Sequence, residues 1–408
     1  MTNAILVFNS GSSSVKFSVF GIGENSLDVI IKGQIDGIGT GHTKFIGKDA
    51  DNNKVAEEEI THLKEFSLLF AHLLEWIESH DSGAKIVAAG HRVVHGGKEF
   101  SKPVLITPEI IEQLEGLTPL APLHQPYNVE PIKVIEQLYP HLPQVACFDT
   151  AFHRTQDKLS ETYPIARELT EEGIIRYGFH GLSYEYIANL LPYIAPQKAK
   201  GRTVIGHLGN GASMCAMKDC KSVATTMGFT ALEGVMMGTR CGTIDPGIIL
   251  YLLEVKKMSV AEVSHALYYD SGLKGVSGIG NDMRDLTESD DPHAKEAVDL
   301  FAYRIARELG SLTQAIEGLD TLIFTAGIGE RSPEIREAVC SRSSWMGVDL
   351  DDEANNNNEL FITTPESPIA VAVIPTNEEL MIAIHVGEVV DIEGYHLSKD
   401  AIFAEIGK

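Results

Sequence analysis

The residues best suited to chemistry in this chain are two arginines, a glycine-flanked histidine and a few carboxylates near strand and loop ends. Arg92 falls in His91-Arg92-Val93-Val94-His95-Gly96-Gly97, and Arg240 lies in a long glycine-rich loop from Met227 to Gly247. Guanidinium groups bind carboxylates and phosphates through forked pairs of hydrogen bonds. His180 sits in Tyr177-Gly178-Phe179-His180-Gly181, where the glycines allow close backbone packing. A lone histidine is more often structural than catalytic, and both readings stay open here. Asp149 follows the apolar run Val145 to Phe148. Past the C-terminal end of a core strand is where α/β proteins place ligand-contacting groups, although an N-cap would also explain the residue. Finally, Asn9-Ser10-Gly11-Ser12-Ser13-Ser14 followed by Lys16 separates two short apolar runs. Small residues let backbone N–H groups approach an anion, hydroxyls add donors, and Lys16 adds charge. The same residues would also make a plain hairpin turn. They are not a P-loop, because the G-x-x-x-x-G-K-[ST] spacing is missing and no helical pattern follows.

The elements that must position these groups can be read from hydrophobic periodicity. Ile5 to Phe8 and Val15 to Phe20 read as strands around a tight turn, and Leu27 to Ile31 and Thr43 to Ile46 as further strands. A helix is expected over about Leu63 to Ser79, then a strand from Ile86 whose extended continuation would place Arg92 and Val94 on one face. A cation beside an apolar side chain suits a carboxylate with a short apolar tail. The opening device then recurs: strand Thr203 to His207, turn Leu208-Gly-Asn-Gly-Ala-Ser213, strand Met214 to Met217. Two copies of one hairpin point to a duplicated architecture with two facing phosphate-binding turns. Further on, helices are expected over Val260 to Tyr269 and His293 to Ile316. Strand Leu322 to Phe324 should run through the glycine turn Thr325 to Glu330 into a helix near Pro333, an anion seat of the G-x-G kind. Asp351 to Glu359 reads as a polar surface loop, and a helix is expected from about Leu380.

Bulk properties narrow the function. The 408 residues leave room for two or three domains, and a formal charge of −24 argues against nucleic acid as a partner. Any anionic ligand must be held by local cations against a repulsive overall field. Five cysteines without a C-x-x-C fit a reducing, cytoplasmic setting. No basic leader or apolar stretch of membrane-spanning length is visible, so neither a signal peptide nor a membrane partner is expected.

The motifs F-N-S-G-S-S-S-x-K-F, G-H-R-V-V-H-G-G, F-D-T-A-F-H, Y-G-F-H-G, G-H-L-G-N-G-A-S, M-G-T-R-C-G, F-T-A-G-I-G-E and P-T-N-E-E-L occur in that order. Together they resemble the acetate kinase family of the acetate and sugar kinase/Hsc70/actin superfamily. The resemblance implies an α/β fold of two duplicated actin-like (ribonuclease H-like) domains with a nucleotide cleft between them. Residues 1–150, completed by about 385–408, would form the first, and 151–384 the second, with most nucleotide contacts. It also implies a homodimer, and reversible in-line transfer of the ATP γ-phosphoryl group to a short carboxylate with Mg²⁺, for which Mn²⁺ can substitute.

By the same resemblance Asp149, His180, Arg240 and Arg92 are catalytic. Arg92, Val94, Leu123, Phe179 and Ala231 bind the acyl substrate, and Asn9 and Glu378 hold the metal. Lys16, His207, Leu208, Gly209, Asn210, Gly211, Asp282, Met283, Arg284, Ala326, Gly327, Ile328, Gly329 and Glu330 bind ATP/ADP. The family's usual residues are replaced by Ala231 (for Pro), Leu182 and Tyr184 (for Thr and His), Thr243 (for Asp) and Arg331 (for Asn). The chemistry agrees with the resemblance. A carboxylate acceptor, with a pKa of roughly 4, is already ionised, so it needs arginines and a metal rather than a strong base. The alternatives are a propionate or butyrate kinase of the same fold, a sugar or glycerol kinase, and a non-enzymatic ATP-driven protein of the actin/Hsc70 kind.

Overall fold

The computed structural model describes residues 2–11, 14–63, 65–80 and 83–407. Ser12 and Ser13, two serines of the opening turn, lie outside the described residues. The chain forms two compact units: Met1–Phe152 with Gly181–Ile194 and Asn377–Lys408, and His153–His180 with Ala195–Thr376.

The first unit is built on a sheet ordered β5-β4-β3-β2-β1-β6-β8-β7. Its strands are β1 (Asn3–Ser10), β2 (Ser14–Ile22), β3 (Leu27–Asp36), β4 (Lys44–Asp49), β5 (Lys54–Glu59), β6 (Lys85–Val93), β7 (Val104–Leu105) and β8 (Gln144–Phe148). The central strand β1 is apolar without alternation, Ala4 to Phe8 all being buried, because both faces of the sheet are covered. Helix Phe66–His80 lays Leu69, Phe70, Leu73, Leu74 and Ile77 into one core with Leu6 and Phe8. On the other face the helix Glu378–Val389 comes so close that a Cβ at Gly90 would lie 2.5 Å from Ile382. By contrast, the edge strand β5 is polar, with Lys54 and Glu57 paired in the sequence Lys-Val-Ala-Glu-Glu-Glu, which discourages pairing with another chain.

The second unit has a sheet ordered β11-β10-β9-β12-β13, from β9 (Arg202–Leu208), β10 (Ala212–Lys218), β11 (Lys221–Thr225), β12 (Thr321–Thr325) and β13 (Ala370–Val373). β9 pairs antiparallel with β10 and parallel with β12, as β1 pairs with β2 and β6. The run β11-β10-β9-β12-β13 therefore repeats β3-β2-β1-β6-β8, and the duplicated α/β architecture expected from the two hairpins is present. Helix Pro292–Ala315, capped by Asp291, buries Ala294, Ala297, Phe301, Ala302, Ile305, Leu309 and Leu312. That spacing of three and four is a single apolar stripe.

Three local expectations are corrected. Residues 326–331 form a short helix rather than a glycine turn. The chain turns sharply at Ala326 (φ +65), and the Glu330 carboxylate closes the turn by accepting from Ala326 N at 2.8 Å. Residues 351–359 are not simply a surface loop. Asp351 caps a helix Asp352–Asn356, whose Asn355 is buried and accepts from the buried guanidinium of Arg336 at 2.8 Å. Lastly, β6 ends at Val93, so strand alternation does not carry on to Val94; Val93 and Val94 are both buried.

Within the first unit, helices Gly181–Ile194, Glu378–Val389 and Lys399–Ile406 meet around a buried imidazole. His385 Nε2 lies 3.0 Å from Glu185, its Nδ1 3.1 Å from Glu388, and Lys399 sits 3.6 Å from Glu185. With a carboxylate at each nitrogen, both are donors and the ring is charged. Burial alone would discharge it, but Glu185 and Glu388 outweigh burial and raise its pKa to about 9. Nearby Cys147 does not titrate at neutral pH, since burial and the same carboxylates push its thiol well above its ordinary range. A raised histidine pKa stabilises the fold fully below the unfolded value of about 6.5, and the gain disappears as pH rises through the folded value. Denaturant unfolding should therefore lose on the order of 3 kcal/mol between pH 6 and pH 10 from this group. His385→Gln should flatten that slope and lower stability at pH 6; an unchanged slope would refute the charged assignment.

Candidate active site

In the first unit the candidate groups stand at the C-terminal ends of three neighbouring parallel strands. Asn9 is on β1, Arg92 on β6, and Asp149 immediately after β8. Adjacency of β1, β6 and β8 thus gathers residues far apart in sequence. Arg92 Nε donates to both Asp149 oxygens at 3.0 and 3.2 Å, Nη2 donates to Asp149 Oδ2 at 2.5 Å, and Nη1 donates to Asn9 Oδ1 at 3.0 Å. Asp149 therefore orients an arginine, and its side chain is not spent on a cap. Glu378, in the first turn of its helix, lies 4.0 Å from Arg92 and 3.5 Å from Asn9 Nδ2. Burial works against charge on Arg92, but Asp149 and Glu378 more than offset this, and its pKa is raised.

Glu378 feels the opposite balance. Burial, Asp149 and Glu379 raise its pKa to about 7, against the lowering effect of Arg92 and Lys16. Three carboxylates beside two cations leave this corner short of positive charge. Asn9 and Glu378 offer oxygen donors there, a set that fits a hard divalent ion keeping several waters. Lys16 stands opposite Asn9 in the β1–β2 register, so the two share a face, and Lys16 is exposed. Of the expected acyl-pocket residues, this unit holds Val94 and Leu123. The Val94 amide donates to Asn128 Oδ1 at 2.8 Å, and Asn128 in turn donates to the Ser10 carbonyl at 2.6 Å.

In the second unit His180 adopts a left-handed backbone (φ +58), which a residue with a Cβ disfavours. Its Nδ1 is 2.8 Å from Ser213 Oγ, and its ring stacks on His207 with centroids 4.2 Å apart. Arg240 Nη1 donates to the Ala231 carbonyl at 2.6 Å. A Cβ on Gly211 would lie 2.8 Å from Arg240 Nη2 and 3.5 Å from His180 Nε2. Gly211, the second glycine of the second hairpin's turn, is therefore where the guanidinium and the imidazole converge. Phe179 is almost fully buried, whereas Ala231 is half-buried.

A cavity of about 400 Å³ opens in the same unit, lined by Gly209, Asn210, Asn281, Asp282, Met283, Arg284, Gly327, Ile328, Arg331 and Ser332. It brings together residues expected at the nucleotide from three separate segments. His207, Leu208, Gly211, Ala326, Gly329 and Glu330 are not in its lining. Leu208 is buried, and Glu330 is occupied with the amides of Ala326 and Thr376. Asn281 and Ser332 escaped the sequence reading of the site, and Arg331 entered it only as a departure from the family's usual Asn. Asn281 donates to Asn210 Oδ1 at 2.8 Å, which ties two walls of the cavity together. Asn128 also escaped it, and nothing in its local sequence marks it.

The arrangement can hold anions at arginines, an oxygen-ligated cation, and a nucleotide-sized group. The chain is similar to known proteins along nearly its whole length. Residues 4–384 match the model of the acetokinase family. An acetate kinase of Rhodopseudomonas palustris is 51% identical over 399 residues, covering 96% of this chain and 99% of that protein. A propionate kinase structure from Francisella tularensis is 39% identical, with a TM-score of 0.89 over 95% of this chain and all of its own. The Porphyromonas gingivalis acetate kinase structure is 35% identical, with a TM-score of 0.86 over 95% of this chain and 99% of its own.

The first-unit geometry makes a stability prediction that does not depend on catalysis. Removing one partner of a buried ion pair strands the other. Asp149→Ala should therefore lower the unfolding free energy by on the order of 3 kcal/mol. Glu378→Gln, which loses only long contacts, should cost less than about 1 kcal/mol or raise stability. Equal losses in denaturant titrations would contradict this ranking.

Proposed function

This chain belongs to the acetokinase family, and on that premise we propose that it transfers the γ-phosphoryl group of ATP to acetate, reversibly, giving acetyl phosphate and ADP. The observation that carries the reading is Arg92, held charged and pointed by a forked bond to Asp149 and a third bond to Asn9. An arginine fixed in this way suits a planar anionic acceptor.

Each group then has a task. Arg92 takes the acetate carboxylate, whose charge it neutralises and whose oxygen it orients. Val94 and Leu123, in the same unit as Arg92, accommodate the methyl group. Asp149 keeps the arginine in place, and since the acceptor arrives ionised no residue need remove a proton. Arg240 and His180, which converge at Gly211, meet charge developing on the transferred phosphoryl group. His207 supports the His180 ring, and the second-unit cavity takes the nucleotide. Asn9 and Glu378 would hold Mg²⁺, with Lys16 beside them; Mn²⁺ would serve the same donors. When bound, the ion supplies charge neutralisation at the phosphates.

We further propose a homodimer. Helix Pro246–Glu254 is apolar yet buries none of its residues. Leu250, Tyr251, Val255 and Val260 are 56%, 49%, 61% and 75% exposed, a surface that a second copy would cover. A cytoplasmic location fits the thiols, all five of which are free.

The decisive assay traps acyl phosphate with hydroxylamine in the presence of ATP, Mg²⁺ and a panel of carboxylates and sugars. Acetate should exceed propionate by about 10-fold in kcat/KM, the low end for one methylene in a fitted pocket, with butyrate poor. Val94→Ala should move the ratio towards propionate. A sugar as acceptor would sink the reading, and a preference for propionate would reassign the acid. In sedimentation, the wild type should run at twice 44.4 kDa and Leu250→Glu at the monomer mass; identical masses would remove this surface from the dimer interface.

A further inference from the structure

His153 has no part in the chemistry above, yet it lies fully buried against the backbone that carries Phe179 and His180. Its Nε2 is 2.9 Å from the Phe179 carbonyl oxygen. A carbonyl only accepts, so Nε2 carries the proton. Nδ1, 2.9 Å from Ser222 Oγ, must then accept from that hydroxyl. Gln156 Nε2 donates to the same Ser222 oxygen at 2.9 Å. One donor chain follows: Gln156 donates to Ser222, Ser222 to His153, and His153 to Phe179, with the Cys215 thiol 3.4 Å from Ser222 Oγ beside it. Burial, which pushes the His153 pKa down to about 4, keeps the ring neutral and agrees with a single ring proton.

The backbone it grips needs a clamp. Gly178 and His180, on either side of Phe179, are both left-handed, at φ +76 and +58. At position 178 a Cβ would lie 2.6 Å from the His153 ring and 2.7 Å from Thr225, so the imidazole packs directly on this turn. The Phe179 carbonyl and the His180 amide nitrogen belong to one planar peptide unit. Fixing that carbonyl fixes the Cα from which the His180 ring reaches Ser213 and His207.

We propose that His153 is a positioning residue for His180: its Nε2–H clamps the Phe179–His180 peptide plane, and Ser222 and Gln156 enforce the tautomer that makes the clamp possible. The proposal rests on the reading of His180 as a group that meets the transferring phosphoryl.

The test is a double-mutant cycle with kcat, the KM values for ATP and acetate, and Tm measured together. His153→Phe keeps the ring volume and removes the donor. Misplacement of a reacting group by about 1 Å costs on the order of 100-fold, so kcat should fall roughly 10- to 100-fold. The KM for ATP should stay within about threefold, because the cavity lining is untouched. His153→Gln, which keeps a donor at the Nε2 position, should recover part of the loss. In a His180→Ala background, His153→Phe should have no further effect on kcat. Should His153→Phe fail to fold, Ser222→Ala replaces it: a smaller fall in kcat that vanishes without His180 supports the clamp. Unchanged kcat, or equal losses with and without His180, overturns the proposal. If His180→Ala leaves kcat intact, the catalytic reading of His180 is wrong and the clamp falls with it. If His180→Ala lowers kcat while the His153 and Ser222 effects stay independent of it, the clamp alone falls.

Discussion

Acetate and a triphosphate are both anions, and the surrounding chain carries a formal charge of −24. Two like unit charges about 4 Å apart repel by roughly 4 kcal/mol at an effective dielectric constant of 20. Local cations must remove that term, and the protein spends structure on holding them. Arg92 is fixed by charge, through Asp149, with Asn9 completing its bonds. Arg240 is fixed by a backbone carbonyl, that of Ala231. Around Glu378 the carboxylates outnumber the two cations beside them, which leaves that corner short of positive charge.

A second demand falls on the backbone. His180 and Ala326 are left-handed residues with side chains, and both lie next to segments assigned to the reaction. Such conformations cost of order 1–3 kcal/mol each and persist only where neighbours over-determine them. For Ala326 the neighbour is Glu330, which accepts from its amide. For His180 it is the packed and hydrogen-bonded His153 beneath the preceding peptide. In both places a side chain elsewhere in the sequence holds the left-handed turn through its backbone.

Much of this was legible in the sequence because it rests on local pattern. The two hairpins, the apolar strand ending at Asp149 and the Arg92 strand follow from short apolar runs and small-residue turns. The repeated order of β3-β2-β1-β6-β8 and β11-β10-β9-β12-β13 bears out the duplication read from those hairpins. What escaped depends on contacts between distant segments. Asn355 looked like part of a polar loop, and only the buried Arg336 gives its burial a reason. The Ala326 helix was hidden because a carboxylate four residues on closes it. Ser332 was passed over, and Arg331 noted only as a replacement for Asn, because their place in the cavity lining depends on which way a short helix turns. Asn128 joins Val94, 34 residues away, to Ser10, 118 residues away, a link no periodicity announces.

The central claim is that fixed guanidinium charge, more than acid–base chemistry, makes the reaction possible. Arg240→Ala tests it most directly, with kcat for acetyl phosphate formation and the Kd for ATP measured on the same preparation. The charge account requires kcat to fall by roughly 10³-fold or more while Kd changes by only a few-fold. A near-normal kcat, or a loss explained wholly by weaker ATP binding, would contradict it.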